Sequence, residues 1–161
     1  MRLRARALIG LCTVLLGSAA AVHAAADPFV GTWVLDRQKS YYGSDNLPEQ
    51  MVIVMTAAAE GVHYHSESKY ANGTTSVSDY TAAYDGHLSI VTGSAGIAAP
   101  VSVKRIDDDT VEVSYVRGLR VVATSRRVAS EDGLVMTVTT VSRGKDGNSC
   151  TNVAVFERAR Q

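Results

Sequence analysis

Two adjacent arginines in the second half of the chain, Arg126 and Arg127, are the residues best placed to do chemistry. They lie within a run that is typical of a β-strand, and neighbouring residues of a strand point to opposite faces of the sheet. In a regular strand one guanidinium therefore faces the interior, where it needs an internal carboxylate or an anionic ligand. Alternation groups Arg126 with Thr124 and Arg127 with Ser125, so the pattern leaves either arginine as the inward one. A bulge that exposes both is a third possibility.

The chain has seven tyrosines against two phenylalanines. A tyrosine gives a cavity an apolar wall with a polar tip, which suits an amphipathic ligand. We take Tyr64, Tyr84 and Tyr115 as candidate ligand-binding residues beside the two arginines. Tyrosine also favours β-strands by itself, so the same composition fits a barrel that is filled by its own side chains.

His63 and His65 alternate with Glu67 on one strand-like segment, and His87 follows on a later one. Imidazoles two residues apart on a strand share a face and could share a metal ion. Alternating polar side chains are also typical of a solvated strand face, and we predict no metal site. The chain has no metal-thiolate spacing, phosphate-binding loop, nucleophile elbow or dinucleotide motif. We therefore expect neither a cofactor nor an enzymatic activity.

These side chains must be positioned by strands, because the chain beyond residue 29 reads as short β runs separated by Gly, Asn and Asp turns. Asn72-Gly73 and Asp85-Gly86 are signals of a type I′ hairpin turn. About ten such runs, spaced by about 8–12 residues, predict an antiparallel meander. Closure removes the two edges that an open sheet would expose. We predict an all-β protein, an antiparallel up-and-down β-barrel of about 8–10 strands. Residues 37–48 lack alternation and are expected to form a helical turn and a loop.

Residues 1–24 have the features of a secretory signal peptide. Basic residues at positions 2, 4 and 6 precede a short apolar run, and Val22-His23-Ala24 offers small residues at a cleavage site. We expect cleavage after Ala24, which leaves residues 25–161 as a single domain that is periplasmic or secreted. No later stretch reaches the about 18 apolar residues of a spanning helix.

Loss of the leader removes three of the 16 basic residues and none of the 16 acidic ones, which leaves a net charge of −3. A net negative charge does not indicate nucleic-acid binding, which needs a basic surface. One cysteine, Cys150, would remain, so no internal disulfide can form and stability must come from packing and strand pairing. We expect a monomer without a nucleic-acid partner or a membrane span, whose possible partner is a small apolar or amphipathic ligand.

Residues 29–35 read Phe-Val-Gly-Thr-Trp-Val-Leu and contain Trp33, the only tryptophan. This segment resembles the first strand of the calycins, the lipocalins and fatty-acid-binding proteins, which share a Gly-x-Trp there. Residues 150–158 are similar to the closing strand of the fatty-acid-binding branch, and residues 28–158 resemble exported bacterial lipocalin-like domains. The resemblance implies a lipocalin-like barrel in which Trp33, next to Gly31, lies across the floor. It also implies that a late basic residue, for which Arg158 is the positional candidate, packs against the indole.

Fatty-acid-binding proteins commonly hold a carboxylate with an Arg and a Tyr two residues apart on the last strand. The matching positions here read Ala154 and Phe156, so the charge and the hydroxyl are both missing. We expect an exported lipocalin-like protein that binds a small, mainly apolar ligand in the barrel interior by other contacts. The alternative is a structural or interaction module with a side-chain-filled core and no ligand. A metal-binding protein and a barrel isomerase are further alternatives.

Overall fold

Ten β-strands make up the computed structural model, which describes residues 26–43, 47–93, 99–143 and 147–160. The predicted signal peptide, residues 1–24, lies outside the described residues. No helix long and apolar enough to cross a membrane is found in the described ranges. The strands are β1 (Gly31–Tyr42), β2 (Gln50–Ala58), β3 (Gly61–Lys69), β4 (Thr75–Ala82), β5 (Asp85–Gly93), β6 (Ala99–Arg105), β7 (Thr110–Arg117), β8 (Arg120–Ala129), β9 (Val135–Arg143) and β10 (Ser149–Arg158).

Each strand pairs antiparallel with the next one along the chain, and β1 pairs with β10 to close the barrel. The predicted all-β, up-and-down barrel is confirmed. Alternation of side chains accounts for the inner and outer faces: on β3, Val62 and Tyr64 are buried inside, while His63 and His65 lie outside. We call the end of the barrel at which β1 begins the closed end. The end at which β7 turns into β8 is the open end.

Phe29 and Trp33 seal the closed end and are almost completely buried. The indole Nε1 of Trp33 donates a hydrogen bond to the carbonyl of Phe29 at 2.9 Å. Arg158 is paired with Trp33 in the β1–β10 ladder and lies with its guanidinium carbon 4.2 Å from the centre of the indole. The guanidinium nitrogens also donate hydrogen bonds to three backbone carbonyls, those of Pro28, Val30 and Gly133.

Gly31 makes this arrangement possible. Its φ of 146° is one that residues with a side chain rarely adopt, and a Cβ there would overlap Nη1 of Arg158. The Gly-x-Trp spacing therefore has a physical reason. The glycine leaves room for the guanidinium, and the tryptophan two residues later turns its ring to the same inner face.

The structure corrects the expectation of a helical turn and a loop after residue 37. Strand β1 continues to Tyr42, but its register with β10 shifts between Asp36 and Tyr41. The hydroxyl of Ser40 accepts the backbone N–H of Val155 at 3.0 Å, which replaces a ladder hydrogen bond within the bulge. The extra residues of the bulge hide the period-two pattern, which is why the sequence did not read as a strand.

The two hairpin signals also differ from the prediction. Asn72-Gly73 lies in a wider turn, which Tyr70 and Thr74 close with a backbone hydrogen bond of 2.9 Å. Gly86 lies inside β5, where the register with β6 shifts, rather than in the turn before it. A positive φ at glycine serves a bulge as well as a turn, so the dipeptide alone does not separate the two.

Candidate functional site

Arg127 is the inward member of the arginine pair, and Arg126 lies exposed on the outer face. Strand β8 is regular here: Arg126 faces Thr139 and Arg127 faces Val138 on β9. Arg127 is only 3% accessible to solvent. A formally charged guanidinium therefore stands in the middle of the barrel interior.

Two stacked tyrosines hold this guanidinium. The rings of Tyr64 and Tyr80, which face each other across β3 and β4, stack with their centres 4.7 Å apart. The guanidinium carbon of Arg127 lies 4.7 Å from the centre of the Tyr64 ring. Its Nη2 donates a hydrogen bond to the hydroxyl of Tyr80 at 3.0 Å. Burial raises the pKa of both tyrosines, so their hydroxyls stay protonated at neutral pH.

No carboxylate among the described residues lies within ion-pair distance of Arg127. A second arginine near the inner face, Arg105 at the closed end, is paired with Asp27 at 3.0 Å. A buried charge without an opposite charge costs several kcal/mol, and a cation–π contact returns only about 0.5–2 kcal/mol. The surroundings of Arg127 are therefore electrostatically suited to an added anion, and those of Arg105 are not.

Two cavities meet at Arg127. The larger has a volume of about 250 Å³ and the smaller about 130 Å³. Three residues line both of them, Tyr64, Tyr115 and Arg127. The structure thus brings three of the five predicted ligand-binding residues together around one interior space. The remaining aliphatic and aromatic wall of the smaller cavity comprises Tyr42, Met51, Ile53, Val138, Ala154 and Phe156.

The inner face of the β3–β4 hairpin grades from apolar to polar towards the open end. Cross-strand pairs run in the order Val62–Ala82, Tyr64–Tyr80, Ser66–Ser78 and Ser68–Ser76. Ser76 and Ser78 line the larger cavity beside the tyrosines. The interior therefore has an apolar floor, an arginine at middle depth and hydroxyl groups near the open end.

Among the residues around the guanidinium and Tyr115, sequence reasoning missed Tyr80, Ser125 and Thr140. Ser125 is buried, and its hydroxyl lies 2.6 Å from that of Thr140 and 3.5 Å from that of Tyr115. Ser125 shares a face with Arg127 by alternation, so the sequence did contain that signal. Tyr80 and Thr140 come from other strands, and only the register places them against the guanidinium and Ser125.

Tyr84 was predicted to bind ligand, but the structure places it apart from both cavities. Its hydroxyl donates to the carboxylate of Asp27 at 2.7 Å, and Arg105 stacks on its ring at 4.1 Å. Tyr84 follows the end of β4 at the closed end, whereas the cavities lie towards the open end. Through Asp27, the contacts of Tyr84 hold the residues that precede β1 against the closed end of the barrel.

Ala154 and Phe156 are both buried and line the smaller cavity. Neither side chain offers a charge or a hydrogen bond, so the last strand provides an apolar wall at these positions. The positive charge comes from β8 instead. A ligand acid in this barrel would therefore lie near Arg127 and not near the middle of β10.

The histidines considered as metal ligands lie on the outer face. Nδ1 of His65 contacts the carboxylate of Asp79 at 3.0 Å, and its Nε2 contacts that of Glu67 at 3.2 Å. His63 contacts Asp79 as well, at 3.5 Å, while His87 pairs with Asp85 at 2.6 Å. Within the part of the chain that the structure describes, no group of three or more such side chains is arranged to hold a metal ion.

We expect His65 to titrate above the usual range for histidine. The hydrogen bond that the His65 ring donates to the Asp79 carboxylate, and then the one that it donates to Glu67, raises the pKa of His65. This pairing stabilises the fold below the unfolded-state pKa of about 6.5, and its contribution is lost as the pH rises through the folded-state pKa. The effect on stability is small because both side chains are only partly buried, so solvent screens the pair.

An NMR titration of the histidine ring protons checks this expectation. Asp79→Asn should lower the pKa of His65 and leave that of His87, which Asp85 raises, unchanged. An unchanged His65 titration in the variant would show that the two side chains do not pair in solution.

Comparisons with known proteins bear on the fold. No protein family profile and no curated protein matches the chain. A solved structure of zebrafish ileal bile acid-binding protein, complexed with cholic acid, is similar with a TM-score of 0.55 and 12% identity. The match covers 82% of this chain and 99% of that one. The crystal structure of Rv2717c from M. tuberculosis matches with a TM-score of 0.51 and 14% identity, over 83% of this chain and 94% of that one.

These similarities show the fold, which is a calycin-like antiparallel β-barrel. The strand arrangement predicted from the resemblance agrees with this fold. At such low identity the likeness extends to the arrangement of the strands, and not to the residues that line the interior.

Proposed function

We propose that the protein is an exported carrier that binds a small amphipathic acid inside the barrel, with the acidic group at Arg127. The observation that carries the proposal is the buried guanidinium of Arg127, which faces two cavities and lacks a carboxylate partner among the described residues. The cholic acid bound by the zebrafish protein, whose barrel is similar, supports an interior ligand.

The residues around the guanidinium have distinct roles in this proposal. Arg127 binds the anion, because a guanidinium presents several donors in a planar fork that fits a carboxylate. The Tyr80 hydroxyl and the Tyr64 ring hold the guanidinium in place. Tyr115 borders both cavities and offers the ligand a ring and a hydroxyl. Because the guanidinium is already held in place, less conformational entropy is lost when the ligand binds.

The size of the cavities restricts the ligand. The larger one, at about 250 Å³, lies just below the range of about 300–1,000 Å³ that holds drug-sized molecules. A short-chain or single-ring acid fits this space better than a long-chain fatty acid. The apolar part of the ligand would contact Val91 and Val101 in the larger cavity, or Met51 and Phe156 in the smaller one.

Calorimetric titration with octanoate, and with 1-octanol as its uncharged match, tests the proposal. A carrier that binds the acidic group should favour octanoate by about tenfold or more, which corresponds to one charge-assisted hydrogen bond of about 1.5–3 kcal/mol. Native mass spectrometry of the purified protein would identify a retained ligand by its mass. Absence of binding to octanoate and to other small acids would instead support a filled structural barrel.

Export is a separate part of the proposal and rests on the sequence of residues 1–24. Expression of the full chain in a bacterial host, followed by fractionation and N-terminal sequencing, tests it. We expect the protein in the periplasm or medium with Ala25 as its first residue. A chain that stays in the cytoplasm with its leader intact would contradict export and leave the binding proposal untouched.

A further inference from the structure

The turn between β7 and β8 brings basic and apolar side chains together at the open end. Arg117 and Arg120 face each other directly across the ladder, and Gly118, with a φ of 62°, makes the two-residue turn. Leu119 at the apex is fully exposed, and Val121 is 59% exposed. We refer to residues 117–121 as the β7–β8 tip.

The charge of this tip is not balanced locally. The sequence has four arginines and no acidic residue between positions 113 and 130. Arg127 is interior and Arg126 faces Glu112 across the ladder, but no described carboxylate lies within ion-pair distance of Arg117 or Arg120. Like charges directly opposite each other destabilise a hairpin, so an anion that binds both arginines would relieve a local repulsion.

A third arginine extends the basic surface onto the neighbouring strand. Ser142 of β9 pairs with Ala123 of β8, and the next residue, Arg143, ends β9 at the same end of the barrel. Arg143 is exposed. The open end therefore presents three exposed arginines together with the two exposed aliphatic side chains of the β7–β8 tip.

The shape of the tip decides which anionic partner suits it. Leu119 stands at the apex of a convex turn, so a rigid protein could cover it only with a matching pocket. An exposed leucine can insert into a lipid surface without a preformed pocket, and the flanking arginines can keep their guanidinium groups among the headgroups. We propose that the β7–β8 tip docks the barrel onto anionic lipid membranes, with Leu119 inserted and the arginines at the phosphates.

Docking in this manner would also orient the cavity. Tyr115, which lines both cavities, lies on β7 two residues before Arg117. A barrel seated on its β7–β8 tip would turn its open end towards the lipid, from which an amphipathic molecule could enter. The docking proposal itself does not depend on ligand binding, because the tip residues are outside both cavities.

Co-sedimentation with vesicles tests the proposal on the chain purified after export. Vesicles of equal parts phosphatidylglycerol and phosphatidylcholine should bind the protein at low ionic strength, and vesicles of phosphatidylcholine alone should bind it at least tenfold less. Raising the salt to about 0.5 M should release it, because exposed charges are then screened within a few ångströms. Arg117→Ser together with Arg120→Ser should weaken binding about 30-fold, from about 1 kcal/mol for each arginine.

Leu119→Ser should weaken binding to the anionic vesicles about tenfold, since the side chain no longer buries its apolar surface. Leu134→Ser is the control, because Leu134 is also an exposed leucine, with 55% of its surface accessible, but lies at the closed end. Each variant should melt within a few degrees of the parent, as exposed turn substitutions do. Equal losses for Leu119→Ser and Leu134→Ser, or no binding of the parent to anionic vesicles at low salt, would overturn the proposal.

Discussion

Replacing Trp33 by Ala is expected to lower the free energy of unfolding by about 3–5 kcal/mol, the usual effect of removing a large core aromatic residue. The indole is completely buried, and its ring contacts the guanidinium of Arg158. The variant also loses the hydrogen bond to the carbonyl of Phe29, which leaves that acceptor at the closed end without its donor. For a domain of this size we expect a melting temperature lower by about 10 °C or more.

Tyr41→Ala is the matched control for this experiment, because Tyr41 lies on the same strand but is 67% exposed. That variant should stay within about 0.5 kcal/mol of the parent. A Trp33→Ala protein that melts within a degree or two of the parent would mean that the closed end does not depend on the indole.

A double-mutant cycle with Arg158→Ala separates the cation–π contact from the rest of the network. We expect a coupling free energy of about 0.5–2 kcal/mol between Trp33 and Arg158. The remaining loss in Arg158→Ala should persist without the indole, because the guanidinium also binds backbone carbonyls next to β1 and β9. Strictly additive losses would show that the ring and the guanidinium do not interact in solution.

Arg127→Met is expected to reduce the affinity for octanoate by about 30-fold or more, since removal of one partner of a buried charge pair costs about 2–5 kcal/mol. Methionine keeps an unbranched apolar chain at the site but has no charge and no donor. Affinity for 1-octanol should be unchanged or higher, because the interior becomes more apolar. Calorimetric titration of both ligands against the parent and the variant measures the contrast.

The same substitution should affect stability little. The guanidinium has no carboxylate partner among the described residues, so its removal takes away an uncompensated charge along with the hydrogen bond to Tyr80. We expect the free energy of unfolding to stay within about 1.5 kcal/mol of the parent, the net value of one hydrogen bond. Loss of affinity without loss of stability is what distinguishes a binding residue from a structural one.

Arg126→Gln is the matched control for Arg127→Met. Arg126 is the adjacent residue but lies on the outer face opposite Glu112, so octanoate affinity should stay within about twofold of the parent. Small and equal effects of the two substitutions would contradict an anion-binding role for Arg127 and favour a neutral ligand or a filled barrel.

The sequence was sufficient for the architecture because the signals that define it are local. Alternation along each run sets the strands, and glycine and polar clusters set the turns between them, so the ten-strand meander followed from segments read one at a time. Closure followed from the exposed edges that an open sheet would have. The failures were local as well: the bulge at residues 37–40 and the bulge at Gly86 each broke the period-two pattern that a strand should show.

The sequence determined that one of the two guanidinium groups at Arg126-Arg127 faces inward in a regular strand. This conclusion depends only on the alternation of side chains along the backbone. Which of the two faces the interior was decided by closure of the barrel, which alone defines the concave side of β8. The partner of the guanidinium was likewise a tertiary outcome, since Tyr80 reaches Arg127 across 47 residues of chain. Tyr84 comes only four residues after Tyr80, but it follows the end of β4, so it lies at the closed end and donates a hydrogen bond to Asp27. Alternation is a property of neighbouring residues and can be read from one segment. The depth of a side chain in the barrel depends on the register of all ten strands described here, and no single segment encodes that register.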